Sequence, residues 1–302
     1  MKVIRGFEEL GGCSAALGYF DGVHAGHAAV IAAAGRQAKK YGLPLAVFTF
    51  SFARERLAAK GRADIFTVEE RLSRLASLGV EAVCLFDFDD IRDLTPQQFV
   101  ERILCGCMGA RAVCTGPDFR FGGGGAGDTA ALAALCGPYG IETCVCPERA
   151  ADGRKVSTTH IKELLAAGEI GDVNALLSRP YSLTLPVEHG DERGRTMGFA
   201  TANQSLPSGI LPPRFGVYAT VAEIGGRAYP AVTNVGTRPT FYRAGTALFE
   251  THLLDFAGDL YGRPLTVRFC RYLRGEKRFA SIEQLMEQIR NDCENARRTE
   301  KP

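Results

Sequence analysis

Some residues of this 302-residue chain have types and spacings that could do chemistry. The stretch LGYFDGVHAGHAAV, residues 17–30, places His24 and His27 three residues apart, with Gly22 and Gly26 beside them. An apolar, strand-like run enters it, Asp21-Gly22 turns the chain, and an alanine-rich helical pattern leaves it. A helix N-terminus presents free N–H groups and a positive dipole end, which suits phosphate. Glycine lets the backbone turn tightly and lets a ligand approach closely. Two imidazoles there could donate hydrogen bonds to a reacting phosphoryl centre. Such transfers need positioning and charge stabilisation more than a covalent nucleophile. Farther along, GFATANQSLP carries Thr201 and Asn203 two residues apart, so strand alternation would point both the same way. A hydroxyl and an amide oxygen suit a hard cation such as Mg²⁺ held together with nucleotide phosphates.

A further pattern argues against itself. GGGGAG, residues 122–127, matches Gly-x-Gly-x-x-Gly, and Glu148 lies about twenty residues beyond it, the outline of a dinucleotide-binding turn. Those glycines should follow a strand directly, yet GPDFRF intervenes after AVCT. The run reads as a surface loop, with Asp128 capping a helix over TAALAALCG.

Two grammars of secondary structure must position these residues. In the first half, AALGYF, LAVFTF, EAVCLF, ARAVCT and IETCVC read as five short apolar strands. Helical patterns separate them: His27 to Tyr41, ended by Gly42 and Pro44; VEERLSRLASLG, with Thr67 and Glu70 as a capping box; and a segment opened by Thr95-Pro96. This is the pattern of a doubly wound parallel sheet in an α/β domain. From about residue 185 the chain alternates with period two. GVYATVAEI and RAYPAVTNV flank Gly225-Gly226, a hairpin signal, and Pro230 suggests an edge or a bulge. ALFETHLLDF and PLTVRFCRYL add strands, and Ser281 with Gln284 opens a last helix. The expected architecture is an N-terminal doubly wound domain, residues 1–180, and a small antiparallel β-barrel with a C-terminal helix, residues 181–302. EIGDVNALLSRPYSL would link them.

Composition narrows the function classes. The chain is 46% hydrophobic and 23% charged, enough apolar residue for a packed core, and its net charge of +2 predicts no nucleic-acid surface. The ten cysteines, several inside apolar runs, suit a reducing compartment. Cys105/Cys107 and Cys144/Cys146 have no second pair at zinc spacing. The start MKVIRGFEELGG lacks the apolar region of a signal peptide, and no run is long enough to cross a bilayer. A soluble, cytoplasmic protein is expected.

GYFDGVHAGH closely resembles the Gly-x-Phe-Asp-Gly-Val-His-x-Gly-His signature of the bifunctional riboflavin kinase/FAD synthetase family. TGPDFRFGGGGAGD resembles its Gly-x-Asp-Phe-Arg-Phe-Gly segment, and VSTTHIKELLAAGEI its Ser-Ser-Thr-Arg-Ile-Arg stretch. The resemblance implies a nucleotidyltransferase domain that moves AMP from ATP to FMN. His24 and His27 would stabilise the transferring phosphate, within a motif that includes Gly18, Phe20, Asp21 and Gly26. Asp118 and Arg120 would help hold the flavin nucleotide, and Ser157, Thr158, Thr159 and Lys162 the ATP phosphates. The family's Pro-His-Pro after the second strand is replaced by residues of TFSFARERL, and its two arginines by His160 and Lys162.

The second half resembles the family's riboflavin kinase domain along nearly its whole length, through GFATANQSLP, TNVGTRPTF, FETHLLDFAGDLYGRPL and RYLRGEKRF. By that likeness Thr201 and Asn203 would bind Mg²⁺–ATP and Glu250 would be the general base toward the ribityl hydroxyl of riboflavin. Asn234 and Arg238 would lie near the substrates, while His252 and Asp255 read as structural. Ala200 stands where the family has proline. The implied function is phosphorylation of riboflavin to FMN and adenylylation of FMN to FAD. The alternatives are a kinase alone with a degenerate N-terminal domain, a flavin- or nucleotide-binding regulator, and an oxidoreductase resting on the glycine run. Riboflavin, FMN and ATP are the expected partners, with Mg²⁺ as cofactor.

Overall fold

The structure is a computed structural model that describes residues 1–53, 61–151, 153–189, 199–237 and 247–299. The chain divides into two compact units, Met1–Thr158 and Thr159–Pro302.

The first unit is built on a six-stranded sheet in the order β1-β4-β3-β2-β5-β6, every pairing parallel. Its strands are β1 (Lys2–Arg5), β2 (Cys13–Leu17), β3 (Leu45–Ser51), β4 (Ala82–Asp87), β5 (Ala110–Thr115) and β6 (Glu142–Val145). β1 is an addition to the five strands read from sequence. It is a four-residue edge strand whose single buried residue is Ile4, too short and too exposed to show as an apolar run. β2 is buried throughout because both faces of the sheet are covered. Cys13, Ala15 and Leu17 face one layer, which includes the π-helical stretch Phe99–Cys107 and helix α3 (Thr129–Cys136). Ala16 faces the other, formed by α1 (Ala25–Tyr41) and Leu75 of α2 (Val68–Ser77).

Local signals set the ends of these elements. Gly42 takes the left-handed conformation, φ 64°, at the end of α1. Thr67 accepts from the N–H of Glu70 at 3.2 Å, and Thr95 and Gln98 form a reciprocal capping box with Pro96 at the first turn. The glycine run is an ordered tight turn. Gly122 packs so closely on Pro96 that a methyl group there would approach it to 2.8 Å. Asp128 accepts from the N–H of Ala131 at 2.9 Å and starts α3.

The sheet order reverses between β2 and β5. Chain leaving β2 runs one way to β3 and β4, and then crosses to β5 on the other side. That is the switch point at which open α/β sheets bind ligands. The turns that follow β2 and β5 carry Gly18–His24 and Gly116–Asp118.

The second unit is a six-stranded antiparallel sheet in the order β10-β13-β12-β11-β14-β9. Its strands are β9 (Ser182–Pro186), β10 (Ala202–Ser205), β11 (Gly216–Ile224), β12 (Arg227–Thr237), β13 (Ala247–Leu253) and β14 (Pro264–Arg274). The sheet curls into a nearly closed barrel. Glu188 N–H donates to the Asn203 carbonyl at 2.7 Å, and buried Gln204 donates to the carbonyls of Leu185 and Leu265. Tyr181, Tyr218, Phe249 and Phe269 fill the interior. The hairpin falls at Gly225-Gly226 as its sequence predicts. Pro230 causes no bulge in β12. Its carbonyl accepts from Leu254, so its missing N–H falls on the β13 side, one residue before that ladder begins.

Helices α4 (Thr158–Ala167) and α5 (Ile170–Leu176) precede the barrel and pack with it. Arg214 N–H donates to the Leu165 carbonyl at 2.9 Å, and Asn174 reaches the Phe269 carbonyl at 3.0 Å. Helix α6 (Ile282–Arg298), capped by Ser281, covers the outer face of β11 and β12 through Ile289, Cys293 and Ala296. Among the described residues no helix is long and apolar enough to cross a membrane.

Candidate active sites

In the first unit the chain leaves β2 through a strained turn. Phe20 (φ 58°), Gly22 (φ 94°) and Val23 (φ 45°) all lie in the left-handed region, which non-glycine residues rarely adopt. Such strain persists only where surroundings impose it, and it clusters at functional sites. Arg71, buried on α2, donates to the carbonyls of Tyr19 (3.0 Å) and Phe50 (2.8 Å), tying the ends of β2 and β3 together. The hydroxyl of Tyr19 donates to Asp64. Buried Asp21 accepts from the N–H of Ile65 at 2.9 Å, and its carbonyl accepts from the Thr158 hydroxyl at 2.8 Å. The turn is thereby anchored from three sides.

Its product is a stacked pair of imidazoles. His24 and His27 lie 3.6 Å apart between ring centroids at 15°. His24 is the N-cap of α1: its Nδ1 accepts from the backbone N–H of His27 at 3.3 Å. A nitrogen that accepts carries no proton, so Nε2 holds the proton of the neutral ring. Phe20, buried, meets the His27 ring edge-on at 5.1 Å. A methyl group on Gly26 would stand 3.1 Å from the His24 ring, and one on Gly18 would stand 3.1 Å from the Phe20 ring. A side chain at either glycine would press on a ring of this cluster.

Burial pushes His24 down to about 4, with Asp118 opposing and Lys155 assisting, and pushes His27 well below its usual value. Both rings are neutral near pH 7. They can donate hydrogen bonds to a phosphoryl group without bringing positive charge.

The Asp118 and Lys155 side chains face this pair from the β5 turn and from β8 (Arg154–Lys155), which forms a small hairpin with β7 (Ala150–Ala151). Lys155 Nζ bridges Asp118 (3.1 Å) and Glu148 (2.5 Å), which raises its own pKa. Arg120 is exposed. Ser157 and Thr158 end the first unit, and Thr158 hydrogen-bonds the histidine turn itself. Thr159 and Lys162 lie on α4, Thr159 exposed. Tyr19, Arg71 and Lys155 had not been singled out in sequence, because their roles depend on contacts across tens of residues.

In the second unit one row of side chains crosses five strands. Asn203 (β10), Glu250 (β13), Asn234 (β12), Val217 (β11) and Arg274 (β14) stand opposite one another in register. Directly opposed residues share a face. That face opens into a cavity of about 350 Å³, lined by Thr201, Asn234, Glu250, Arg274 and Glu276, with Leu285 and Ile289 of α6 on the far wall. Asn234 Nδ2 donates to Glu250 Oε2 at 3.2 Å. Asn203 is buried and its Nδ2 turns toward the Thr201 carbonyl at 3.5 Å. His252 donates through Nδ1 to the Ala200 carbonyl at 2.8 Å, fixing the segment that leads to Thr201, and Asp255 pairs with Arg297 of α6. Arg274 and Asp292 form a buried bidentate pair between β14 and α6, with contacts of 2.7–3.2 Å. No sequence spacing announced that pair. Arg238 lies outside the described residues, as do parts of TFSFARERL and GRTMGFATANQSLP.

A family model for FAD synthetase matches residues 7–160, and one for riboflavin kinase matches residues 177–300. A bifunctional riboflavin kinase/FMN adenylyltransferase of Escherichia coli K12 is 37% identical over 98% of this chain and 97% of its own length. The chain belongs to the bifunctional riboflavin kinase/FMN adenylyltransferase family. The protein of that name from Bacillus subtilis is 36% identical, covering 93% of this chain and 90% of its own. A crystal structure from Streptococcus pneumoniae, named as a macrolide-efflux protein, covers 99% of both chains at 30% identity and a TM-score of 0.87. The FAD synthetase match contains the histidine turn and Asp118. The riboflavin kinase match contains Thr201, Asn203, Asn234 and Glu250.

Proposed function

We infer that this chain makes FAD from riboflavin in two ATP-dependent steps, phosphorylation to FMN and adenylylation of FMN. The observation that carries this is the pair of family matches, one on each of two units, each with its own candidate site. We assign adenylyl transfer to residues 1–180 and riboflavin phosphorylation to residues 181–302. All ten cysteines are thiols rather than disulfides, which suits the cytoplasm as the setting.

In the second unit, Glu250 accepts the proton of the terminal ribityl hydroxyl as that oxygen attacks the γ-phosphorus of ATP; FMN and ADP result. A carboxylate within reach of an alcohol is a sound base for this step. The donor set beside it consists of hard oxygens: the Thr201 hydroxyl, the amide oxygen of Asn203 and the Glu250 carboxylate. Asn203 turns its NH₂ to a carbonyl, which leaves its oxygen as the available atom. These residues fit Mg²⁺, and Thr201 and Asn203 would hold it with the nucleotide. A bound Mg²⁺ would offset phosphate charge. By the family likeness Asn234 and Arg238 serve the substrates.

In the first unit, an FMN phosphate oxygen attacks the α-phosphorus of ATP, and pyrophosphate leaves. Neutral His24 and His27 donate hydrogen bonds to the transferring group, and the N-terminus of α1 adds its free N–H groups. Asp118 and Arg120 serve the flavin nucleotide. The family likeness assigns Ser157, Thr158, Thr159 and Lys162 to the ATP phosphates. Gly18, Phe20, Asp21 and Gly26 shape the turn.

The test supplies riboflavin or FMN with ATP and Mg²⁺ and separates riboflavin, FMN and FAD by chromatography. Glu250→Ala is expected to stop FMN formation and spare FAD made from added FMN; His27→Ala is expected to do the reverse. Wild-type protein that makes FMN and never FAD would reduce the reading to a kinase. Intact activities in both variants would refute the site assignments.

A further inference from the structure

We propose that His252 is a positioning residue for the phosphorylation step: its Nδ1–H holds the Ala200 carbonyl and so sets where Thr201 stands beside Asn203 and Glu250. The proposal rests on the reading of Thr201 and Asn203 as the residues that hold Mg²⁺–ATP.

Strand pairing stops one residue short of Thr201. β10 begins at Ala202, which is paired with Thr251 of β13. Continued in the same register, the ladder would set Thr201 opposite His252. Thr201 lies outside the strand, so the ladder does not fix its backbone. A side chain takes over at this point. His252 Nδ1 lies 2.8 Å from the Ala200 carbonyl oxygen. A carbonyl can only accept, so Nδ1 carries the proton of this contact. The imidazole also meets the Phe199 ring edge-on, with 5.5 Å between centroids at 77°. One side chain thus engages both residues that lead into Thr201, through a directed hydrogen bond and through a ring contact.

His252 can hold that segment because its own strand is fixed. Alternation puts Glu250 and His252 on one face of β13 and Thr251 on the other. Glu250 and His252 line the cavity together with Phe199 and Thr201. On the opposite face Thr251 is fully buried, and its hydroxyl bonds that of Thr233 at 3.0 Å, which bonds that of Thr220 at 2.9 Å. β13 is paired on one edge with β10 and on the other with β12, where His252 stands opposite Val232. Ala200, by contrast, is exposed. A group placed by a paired strand is held more firmly than one on a free segment. Through His252 the Thr201 hydroxyl takes its place from β13, the strand that also carries Glu250. Proline at position 200 would fix φ by its ring. Alanine leaves φ free there, so the hydrogen bond supplies the constraint.

The test compares wild type with His252→Phe, His252→Asn and Thr201→Val. Phenylalanine keeps the ring and removes the donor; asparagine keeps an N–H donor close to the place of Nδ1 and removes the ring. FMN formation is measured against ATP at saturating riboflavin and Mg²⁺, and against riboflavin at saturating ATP. Hydrogen exchange, read by mass spectrometry in protein without nucleotide, is followed over residues 199–206 and over β11 and β12. In His252→Phe, KM for ATP is expected to rise about tenfold, the scale of one lost hydrogen bond, while KM for riboflavin stays within about twofold. Exchange is expected to quicken over 199–206 and to stay unchanged in β11 and β12. His252→Asn is expected to keep KM for ATP and the exchange rates near wild type. A side chain that only fills the cavity wall gives the reverse order, with phenylalanine tolerated and asparagine harmful, and that result overturns the proposal. Equal loss in the two variants, or faster exchange throughout the barrel, overturns it as well. Thr201→Val separates the proposal from the reading beneath it. A raised KM for ATP in Thr201→Val with a tolerant His252→Phe overturns the positioning role alone. A wild-type KM for ATP in Thr201→Val removes the ligand reading itself.

Discussion

The two histidines of the first unit show how one residue's chemistry is set by its neighbours. Each would titrate near 6.5 in water. His24 is held at about 4 by burial, and His27 lower still, so both are neutral donors at physiological pH. We expect the His24 ring signal, followed by NMR in selectively labelled protein, to titrate with a midpoint near 4. A midpoint above 6 would mean that the ring is solvated and that the stacked geometry is absent. The same depression links to stability. A group whose folded pKa lies below its unfolded value binds fewer protons when folded. Its contribution is complete above about pH 6.5 and is lost as the pH falls from there through 4. Acid-side loss of the first unit's fold, followed by circular dichroism, should therefore lessen in His24→Phe, which cannot charge. The spacing His-x-x-His was plain in sequence. The sense of the pKa shift was not, because it is set first by burial, which only the packed fold creates, and then by Lys155 assisting and Asp118 opposing from other elements.

At the scale of the element, α1 places its functional end against its own stability. Glycine in a helix costs up to about 1 kcal/mol relative to alanine, yet Gly26 stands in its first turn. The reason is the His24 ring, 3.1 Å from where a methyl group would sit. Gly26→Ala should leave the melting temperature unchanged or slightly raised while it lowers kcat for FAD formation at least tenfold, since the ring must move from its cap. FMN formation should be unaffected. Equal activity in the variant would show that the close approach has no catalytic role. The strand–turn–helix order around this glycine was legible from period and capping signals alone. The strained φ values at Phe20 and Val23 were not, since ordinary sequence grammar reserves that region for glycine and asparagine. They exist because Arg71, Asp21 and Thr158 pin the turn. The glycine run at 122–127 carries the converse lesson. Its match to a nucleotide fingerprint failed on context, and its glycines answer to Pro96 and Phe121, on which they pack.

At the scale of the whole molecule, two sheets of opposite type carry two chemistries, and each has its own means of holding a site. The barrel unit holds its cavity wall in place through Arg274 and Asp292, whose side chains are 14% and 4% exposed. Removing one partner of a buried pair leaves the other charge uncompensated, at a cost of about 3–5 kcal/mol. Asp292→Ala should therefore lower the temperature at which FMN formation is lost on heating, and leave that for FAD formation from added FMN unchanged. A shift of equal size in both activities would mean that the pair does not act on the barrel unit in particular. The amino-acid sequence by itself determined the two architectures, the hairpin at Gly225-Gly226, the caps at Thr67, Thr95, Asp128 and Ser281, and the candidate residues. Those features follow from periodicity and from short-range backbone chemistry, which a single strand or helix already contains. Tertiary structure decided the remainder: β1 as a sixth strand, the switch point that brings the turns after β2 and β5 together, the neutral state of the histidines, and the row from Asn203 to Arg274. Each of these depends on which strands become neighbours, and strand neighbours are chosen by the burial of whole faces, a property that no local run of residues expresses.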